Sequence, residues 1–287
     1  MLVKLMKHDF YALSRKLFPL QIGVLSGGLL ATIFMTIAIR IQHTAANNGI
    51  PLHGDFLMIA SCTLSTVLIG LAIMASCIVT LLIICMHFYH NFMCSEGYLT
   101  FTLPTTTTNL MWSKLLTGTI WMLINFVVLS IAGLIFIVFG TASTGFANQQ
   151  VLETLGKIFQ DLLAMAQSIN LPLAIFACII WAVLSIVAML LEIYFAIVVG
   201  GQIAKKNKLL AAIGMYLLIN FTVGTIRTIL QLLGLGISAL TIPTTDSFIA
   251  STFLQNTVLV SIGINLLLSV IFFLWSKSIL KRNLNLQ

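Results

Sequence analysis

Charged residues are scarce in this sequence. Only 7% of its 287 residues are Asp, Glu, Lys or Arg, whereas 60% are hydrophobic. A soluble domain carries roughly 25% charged residues, so this chain cannot build a surface that faces water. The composition therefore excludes an ordinary soluble protein and indicates that lipid is the solvent for most of the chain.

Alternation of polar and apolar residues is also missing from the long hydrophobic runs. In hydrocarbon the backbone must satisfy its own hydrogen bonds, so a spanning segment is either a helix or a strand of a closed barrel. Barrel strands alternate with a period of two, which these runs do not. The sequence therefore predicts an all-α, polytopic membrane protein built as one domain over residues 1–287.

Sequence motifs of enzymes are absent as well. There is no glycine-rich phosphate loop ending in Lys-Ser or Lys-Thr, no His-Glu-x-x-His helix and no Gly-x-Ser-x-Gly elbow. The five cysteines have neither metal-ligand nor disulfide spacing. His87 and His90 could ligate haem only with imidazoles on a facing helix, so we interpret them as interfacial histidines. We predict no catalytic residue, metal site, bound cofactor or enzymatic activity in this chain.

Six apolar runs are long enough to cross a bilayer. The predicted spans are residues 18–41, 56–87, 114–140, 171–200, 209–226 and 253–275. Before the first span, residues 1–16 place basic side chains opposite an apolar stripe, which predicts an interfacial amphipathic helix or, alternatively, a plain cytosolic flank. The outer segment 151–168 is also amphipathic and predicts a helix that lies on the outer leaflet or caps the spans.

The fifth apolar run is too long for one simple crossing. As a single helix over residues 209–242 it would be ~50 Å long, against a hydrocarbon core of ~30 Å. We expect it to break at Gly224 or at the Gly-Leu-Gly step 234–236, which would make residues 227–242 a re-entrant piece. The alternative is one tilted helix that protrudes outside.

The net charge of +7 is distributed unevenly. With the N-terminus placed in the cytoplasm, eleven Lys and Arg residues fall in inner segments and only Arg40 and Lys157 in outer ones. Because translocation of Lys and Arg is disfavoured, this asymmetry predicts a multi-pass protein of the inner (cytoplasmic) membrane with both termini in the cytoplasm. The same asymmetry accounts for the positive charge without a nucleic-acid partner.

Two ionisable residues, Glu192 and Arg227, fall inside apolar runs. Such a residue costs at least about 2.5 kcal/mol on insertion scales and usually faces a cavity or a partner. Counted from the inner ends of their spans, Glu192 lies ~12 Å deep and Arg227 ~27 Å deep, so we expect them not to pair. Glu192 is then a candidate for either a transport pathway or a packing contact, and Arg227 is expected near the outer interface.

Small residues recur with a spacing of four in the first span, at Gly23, Gly27 and Ala31. A ridge of this kind lets helices approach closely. It predicts packing against a second copy of the chain or against another span.

The inner segment between the second and third spans is the most informative. Residues 94–105 read Cys-Ser-Glu-Gly-Tyr-Leu-Thr-Phe-Thr-Leu-Pro-Thr, a short amphipathic stretch that the proline ends. The threonines that follow are suited to cap the helix that enters the third span. The apolar side chains of residues 94–105 would be exposed to the cytosol. This predicts a docking surface or, alternatively, a turn buried against lipid.

This segment resembles the inner loop of permease subunits of type-2 ATP-binding-cassette exporters. The resemblance lies in Glu96-Gly97-Tyr98-Leu99 followed by Leu103-Pro104, a polar turn and a helix containing Lys-Leu-Leu, and in the plan of six spans with both ends inside. Many members of that family have a basic residue where this chain has Gly97.

The resemblance implies partners and a function. It implies that Glu96, Gly97, Tyr98, Leu99, Leu103 and Pro104 dock on a separate ATPase subunit, which would hold ATP and Mg²⁺, and that two permease chains work with two ATPases. The scarcity of buried charge favours export of an amphipathic peptide, lipid or drug. Two alternatives stay open: an ion-coupled secondary transporter, which needs paired ionisable residues at one depth, and a non-transporting sensor or immunity subunit.

Overall fold

The computed structural model describes residues 2–47, 54–93, 106–143, 171–204, 207–241 and 246–282, together with positions 153, 156, 157 and 160. The described residues form six long helices: α1 (Leu2–Asn47), α2 (Gly54–Met93), α3 (Thr107–Ser143), α4 (Leu171–Ile203), α5 (Lys208–Thr241) and α6 (Asp246–Arg282). Each contains a stretch long and apolar enough to cross a membrane, which confirms an all-helical protein with six candidate spans.

Helix α5 is continuous from Lys208 to Thr241. The predicted break at Gly224 or at residues 234–236 is therefore wrong. A glycine costs a helix only about 1 kcal/mol, whereas a break in apolar surroundings leaves backbone N–H and C=O groups without partners. A Cβ atom placed on Gly224 would meet no atom within 4 Å, so no neighbouring group forces a bend there.

Helix α1 is continuous as well and passes through Pro19. The predicted amphipathic segment 1–16 and the predicted first span 18–41 therefore belong to one helix, apart from Met1, which lies outside the described residues. The interfacial position of its first turns stays a prediction. Of the outer segment 151–168, only four positions are described, and all four are helical and exposed.

The chain divides into two compact units. Unit 1 consists of Met1–Phe10, Ile84–Ile120 and Leu162–Gln287, and unit 2 consists of Tyr11–Ile83 and Trp121–Asp161. Helices α1, α2 and α3 contribute residues to both units, whereas α4, α5 and α6 belong to unit 1.

Helix α4 is the centre of unit 1. Every residue from 190 to 198 is buried, so α4 has no face that is free of protein over more than two turns. Near its end, α4 touches α5 directly: a Cβ atom on Gly200 would lie 2.5 Å from Ala212 Cα. Small residues at this contact let the two backbones approach more closely than larger side chains would allow.

Candidate functional site

The predicted coupling residues cannot be placed by this structure. They lie outside the described residues: Glu96, Gly97, Tyr98, Leu99, Leu103 and Pro104. Their role stays a prediction. The structure does describe both flanks of the loop, since α2 ends at Met93 and the chain resumes at Thr106. The Thr106 hydroxyl accepts a hydrogen bond from the Asn109 N–H at 3.4 Å, which confirms a threonine cap at the start of α3.

Four polar side chains of unit 1 meet between the loop's two flanking helices and the first turns of α1. We call Asp9, His87, Ser113 and Lys114 the stem cluster. Lys114 Nζ contacts Asp9 Oδ1, and the Ser113 hydroxyl donates to Asp9 Oδ2 at 2.6 Å. His87 Nε2 lies 3.4 Å from Asp9 Oδ1 and 3.2 Å from Lys114 Nζ. The lysine ammonium has only donors, so His87 Nε2 accepts in that contact.

The stem cluster is buried. Asp9, Ser113 and Lys114 expose 3%, 0% and 6% of their surface. A buried carboxylate or ammonium is tolerated only when it is paired and hydrogen-bonded, and here each charge has the other as its partner. Removal of Asp9 or Lys114 would leave the opposite charge buried without its partner, and the cluster links α1, α2 and α3 within unit 1.

Two further contacts tie the flanks of the loop to the rest of unit 1. The Tyr194 hydroxyl donates to the Lys114 carbonyl at 3.4 Å, and the Tyr194 ring stacks on Phe88 with centroids 3.9 Å apart. Lys208 Nζ donates to the Met93 carbonyl at 3.4 Å, at the end of α2. Both flanking helices are therefore anchored to α4 or α5 by side chains close to the loop.

Glu192 and Arg227 form an ion pair, contrary to the expectation from depth. Arg227 Nη2 donates to Glu192 Oε1 at 2.9 Å. The expectation measures depth from the inner ends of the two spans. In the structure α4 and α5 are instead level where Gly200 contacts Ala212. From that contact the two residues are eight and fifteen residues away, an offset of ~10 Å along the helices. The long arginine side chain and the glutamate together close this distance.

A small polar cleft adjoins this ion pair, between α4, α5 and α6. Its volume is about 110 Å³. Its hydrogen-bonding side chains are Trp181, Ser185, Arg227, Gln231, Ser261 and Asn265. Gln231 Nε2 donates to Ser261 Oγ at 3.1 Å, and Asn265 Nδ2 donates to Ser185 Oγ at 2.9 Å. Within the part of the chain that is described, Arg227 Nε is buried and has no hydrogen-bond partner. Of these residues, the sequence pointed only to Arg227.

Unit 2 contains a separate polar contact centred on Asn125 of α3. Asn125 Oδ1 accepts hydrogen bonds from Gln21 Nε2 at 3.1 Å and from Ser76 Oγ at 3.0 Å. All three residues are at least 95% buried. Asn125 therefore joins α1, α2 and α3 inside unit 2, as polar side chains often do between membrane helices. The sequence analysis did not single out any of the three.

The small-residue ridge of α1 is open in unit 2. A Cβ atom on Gly23 or Gly27 would meet no atom within 4 Å among the described residues. Gly27 and Ala31 instead line an apolar groove of about 620 Å³ between α1 and α2. Close packing of the ridge on a second copy stays a prediction.

Chemical equipment beyond these polar contacts is limited in the described residues. No three His, Cys, Asp or Glu side chains among them are grouped so that they could hold a metal ion. No family model, curated protein or solved structure matches this sequence.

Proposed function

We propose that this chain is the membrane-spanning permease subunit of an exporter that uses ATP hydrolysed by a separate ATPase subunit of the ATP-binding-cassette type. In this proposal both termini face the cytoplasm, two permease chains work together in the cell membrane, and the cargo is an amphipathic peptide, lipid or drug. The permease itself is not an enzyme, and ATP and Mg²⁺ bind to the partner subunit.

The observation that supports this proposal best is the stem cluster beside the loop 94–105. An ATP-driven permease without a phosphate loop must receive work from another protein. A short loop can transmit a push only if both flanking helices are held firmly. Buried contacts at Asp9, Lys114 and Tyr194 hold those helices. Packed interiors respond to a push as rigid elements rather than by gradual deformation, so a displaced loop would move α1 and α4 as well.

A docking experiment tests the proposal. Replacement of Tyr98 and Leu99 by Asp should leave membrane insertion intact and abolish co-purification of an ATPase with a phosphate loop. The matched control replaces two apolar residues of the predicted outer loop, Ile50 and Leu52, by Asp, and should leave co-purification unchanged. Equal co-purification in the two double variants would contradict the docking role of the loop.

Cysteine labelling tests the orientation independently. Cys94 lies in the loop, whereas the other four cysteines fall in apolar runs. A maleimide that cannot cross membranes should label Cys94 only after the cells are permeabilised, and the Cys94→Ser variant should remain unlabelled. Labelling of Cys94 in intact cells would place the loop outside and overturn the proposal.

A secondary transporter is the second candidate, because the Glu192–Arg227 pair supplies the buried ionisable pair that this class requires. Glu192 is, however, the only acidic residue within the six predicted spans, so a relay of several carboxylates is not available there. Transport in vesicles separates the candidates: export that needs ATP and persists without an ion gradient supports the first, and the converse supports the second.

A further inference from the structure

The cleft between α4, α5 and α6 is a polar site within an apolar stretch of helix. Arg227 lies 15 residues beyond Ala212 and Ser185 lies 15 residues before Gly200, so both are ~22 Å along their helices from the contact of α4 with α5. On α4 and α5, within five residues of Trp181 or Arg227, the apolar side chains of Phe176, Ile179 and Ile226 are exposed. In a bilayer such side chains face lipid, and polar groups among them usually face a cavity or a ligand.

The cleft has hydrogen-bonding capacity but little net charge. Glu192 offsets the charge of Arg227 through the contact at 2.9 Å. Arg227 lines the cleft with a guanidinium, which has only donors, and its buried Nε has no hydrogen-bond partner among the described residues. The amide nitrogens of Gln231 and Asn265 donate to serines, which leaves the two amide oxygens as acceptors. A lining that has both donors and acceptors complements a group that itself both accepts and donates, such as an amide or a hydroxyl.

The size of the cleft restricts the ligand further. A volume of about 110 Å³ has room for a few water molecules or one small polar group, not for a whole lipid or peptide. Any larger molecule that enters must therefore leave the rest of its structure outside, against exposed apolar side chains such as Ile226.

We infer that this cleft binds the uncharged amide or hydroxyl group of an amphipathic molecule. The apolar part of that molecule lies against the exposed apolar side chains of α4 and α5. The inference deepens the proposed function and rests on it, because only the proposed function identifies such a molecule as cargo. Binding itself requires only this chain and no ATPase.

Photo-crosslinking of the purified full-length chain in phosphatidylcholine nanodiscs tests the inference. The probe is dodecanamide that carries a diazirine next to the amide, and the labelled peptides are identified by mass spectrometry. Labelling should concentrate on peptides that contain Trp181, Gln231 or Asn265. Excess unlabelled dodecanamide should suppress it. Dodecanoate, which has no hydrogen-bond donor, and dodecyltrimethylammonium, which has neither a donor nor an acceptor, should compete at least about fivefold less well.

Variants decide whether the polar groups are responsible. Gln231→Leu keeps the side chain's bulk and should reduce labelling about fivefold or more, in line with the loss of one hydrogen bond. The matched control is Asn220→Leu, an exposed amide on the same helix whose only described partner is Tyr216 one turn away. Gln231 is half-buried, so this substitution is tolerable; Ser261→Ala provides a second, smaller change with the same expected direction.

Several results would overturn the inference. Labelling of the cleft that is unchanged in Gln231→Leu and Ser261→Ala would show that these groups do not bind the amide. Equal competition by dodecanoate would show that the site selects another chemical class. Labelling without preference over a dodecane diazirine would mean that the cleft holds water only. Each of these leaves ATPase co-purification unaffected, whereas a failure of co-purification with normal labelling would contradict the proposed function and not the cleft.

Discussion

Arg227 of α5 reaches back toward the start of its helix to donate a hydrogen bond to Glu192 of α4 at 2.9 Å. The two ends of the contact differ, because the Glu192 side chain is 4% exposed and the Arg227 side chain 35%. The glutamate therefore depends on its partner far more than the arginine does. The pair fixes α5 to the central helix of unit 1, and its arginine also lines the polar cleft.

Removal of the arginine should destabilise the protein more than removal of the glutamate charge. Arg227→Met leaves a carboxylate buried without a partner, for which we expect a loss of about 3 kcal/mol. Glu192→Gln leaves Arg227 partly exposed and able to reach a polar boundary, so it should cost less and lower transport only modestly. Thermal unfolding in one detergent measures the difference, and Glu192→Gln combined with Arg227→Met should recover part of the loss. Equal effects of the two single variants would contradict this asymmetry.

The stem cluster should behave as a coupled unit. Asp9→Asn and Lys114→Gln each break the buried pair, whereas the double variant leaves no unpaired charge. We expect a coupling of about 1–3 kcal/mol in a double-mutant cycle of unfolding free energies. Lys7→Gln, an exposed lysine near Asp9 in sequence, is the control and should change stability by less than about 0.5 kcal/mol. Additive single effects would show that Asp9 and Lys114 do not depend on each other.

Much of the fold follows from hydropathy, and the stem cluster could have been found with one further step. The predicted spans all fall within the observed helices, because runs of apolar residues are decided locally by composition. Asp9 occupies the apolar stripe of α1, at helical spacing from Met6 and Leu13, and like Leu13 it is buried. An acidic residue on an apolar stripe signals a buried partner, and Lys114 is that partner.

The remaining features depend on how helices are placed against one another. To predict the Glu192–Arg227 pair one must know how α4 and α5 are aligned along their lengths. The contact at Gly200 sets this alignment, and the helix ends do not. The polar cleft combines side chains from three helices that are far apart in sequence, so no local pattern announces it. Continuity of α5 was only the alternative prediction from the sequence. The helix is continuous because glycine breaks a helix less readily in apolar surroundings than its propensity suggests.

The contact of α4 with α5 should be highly sensitive to a single methyl group. In Gly200→Ala the new Cβ would lie 2.5 Å from both the Cα and the N of Ala212, which are backbone atoms that no rotamer change can move. The helices must separate, and we expect a loss of at least about 1–3 kcal/mol. Gly214→Ala is the matched control, since a Cβ there meets nothing within 4 Å and alanine favours the helix. A melting temperature of Gly200→Ala equal to that of Gly214→Ala would show that α4 and α5 do not touch here.

Asn125 should matter to unit 2 through the hydrogen bonds that it accepts from two other helices. Asn125→Leu leaves the donors of Gln21 and Ser76 buried without an acceptor, and interhelical hydrogen bonds in membranes contribute about 0.6 kcal/mol each on average. We therefore expect a loss of roughly 1–2 kcal/mol in unfolding free energy. Asn220→Leu removes an exposed amide that bonds only within its own helix among the described residues, and it should change stability little. Because an unpaired donor causes the loss, Gln21→Leu added to Asn125→Leu should restore part of it; a further loss of the same size would mean that the leucine at 125 disturbs packing instead.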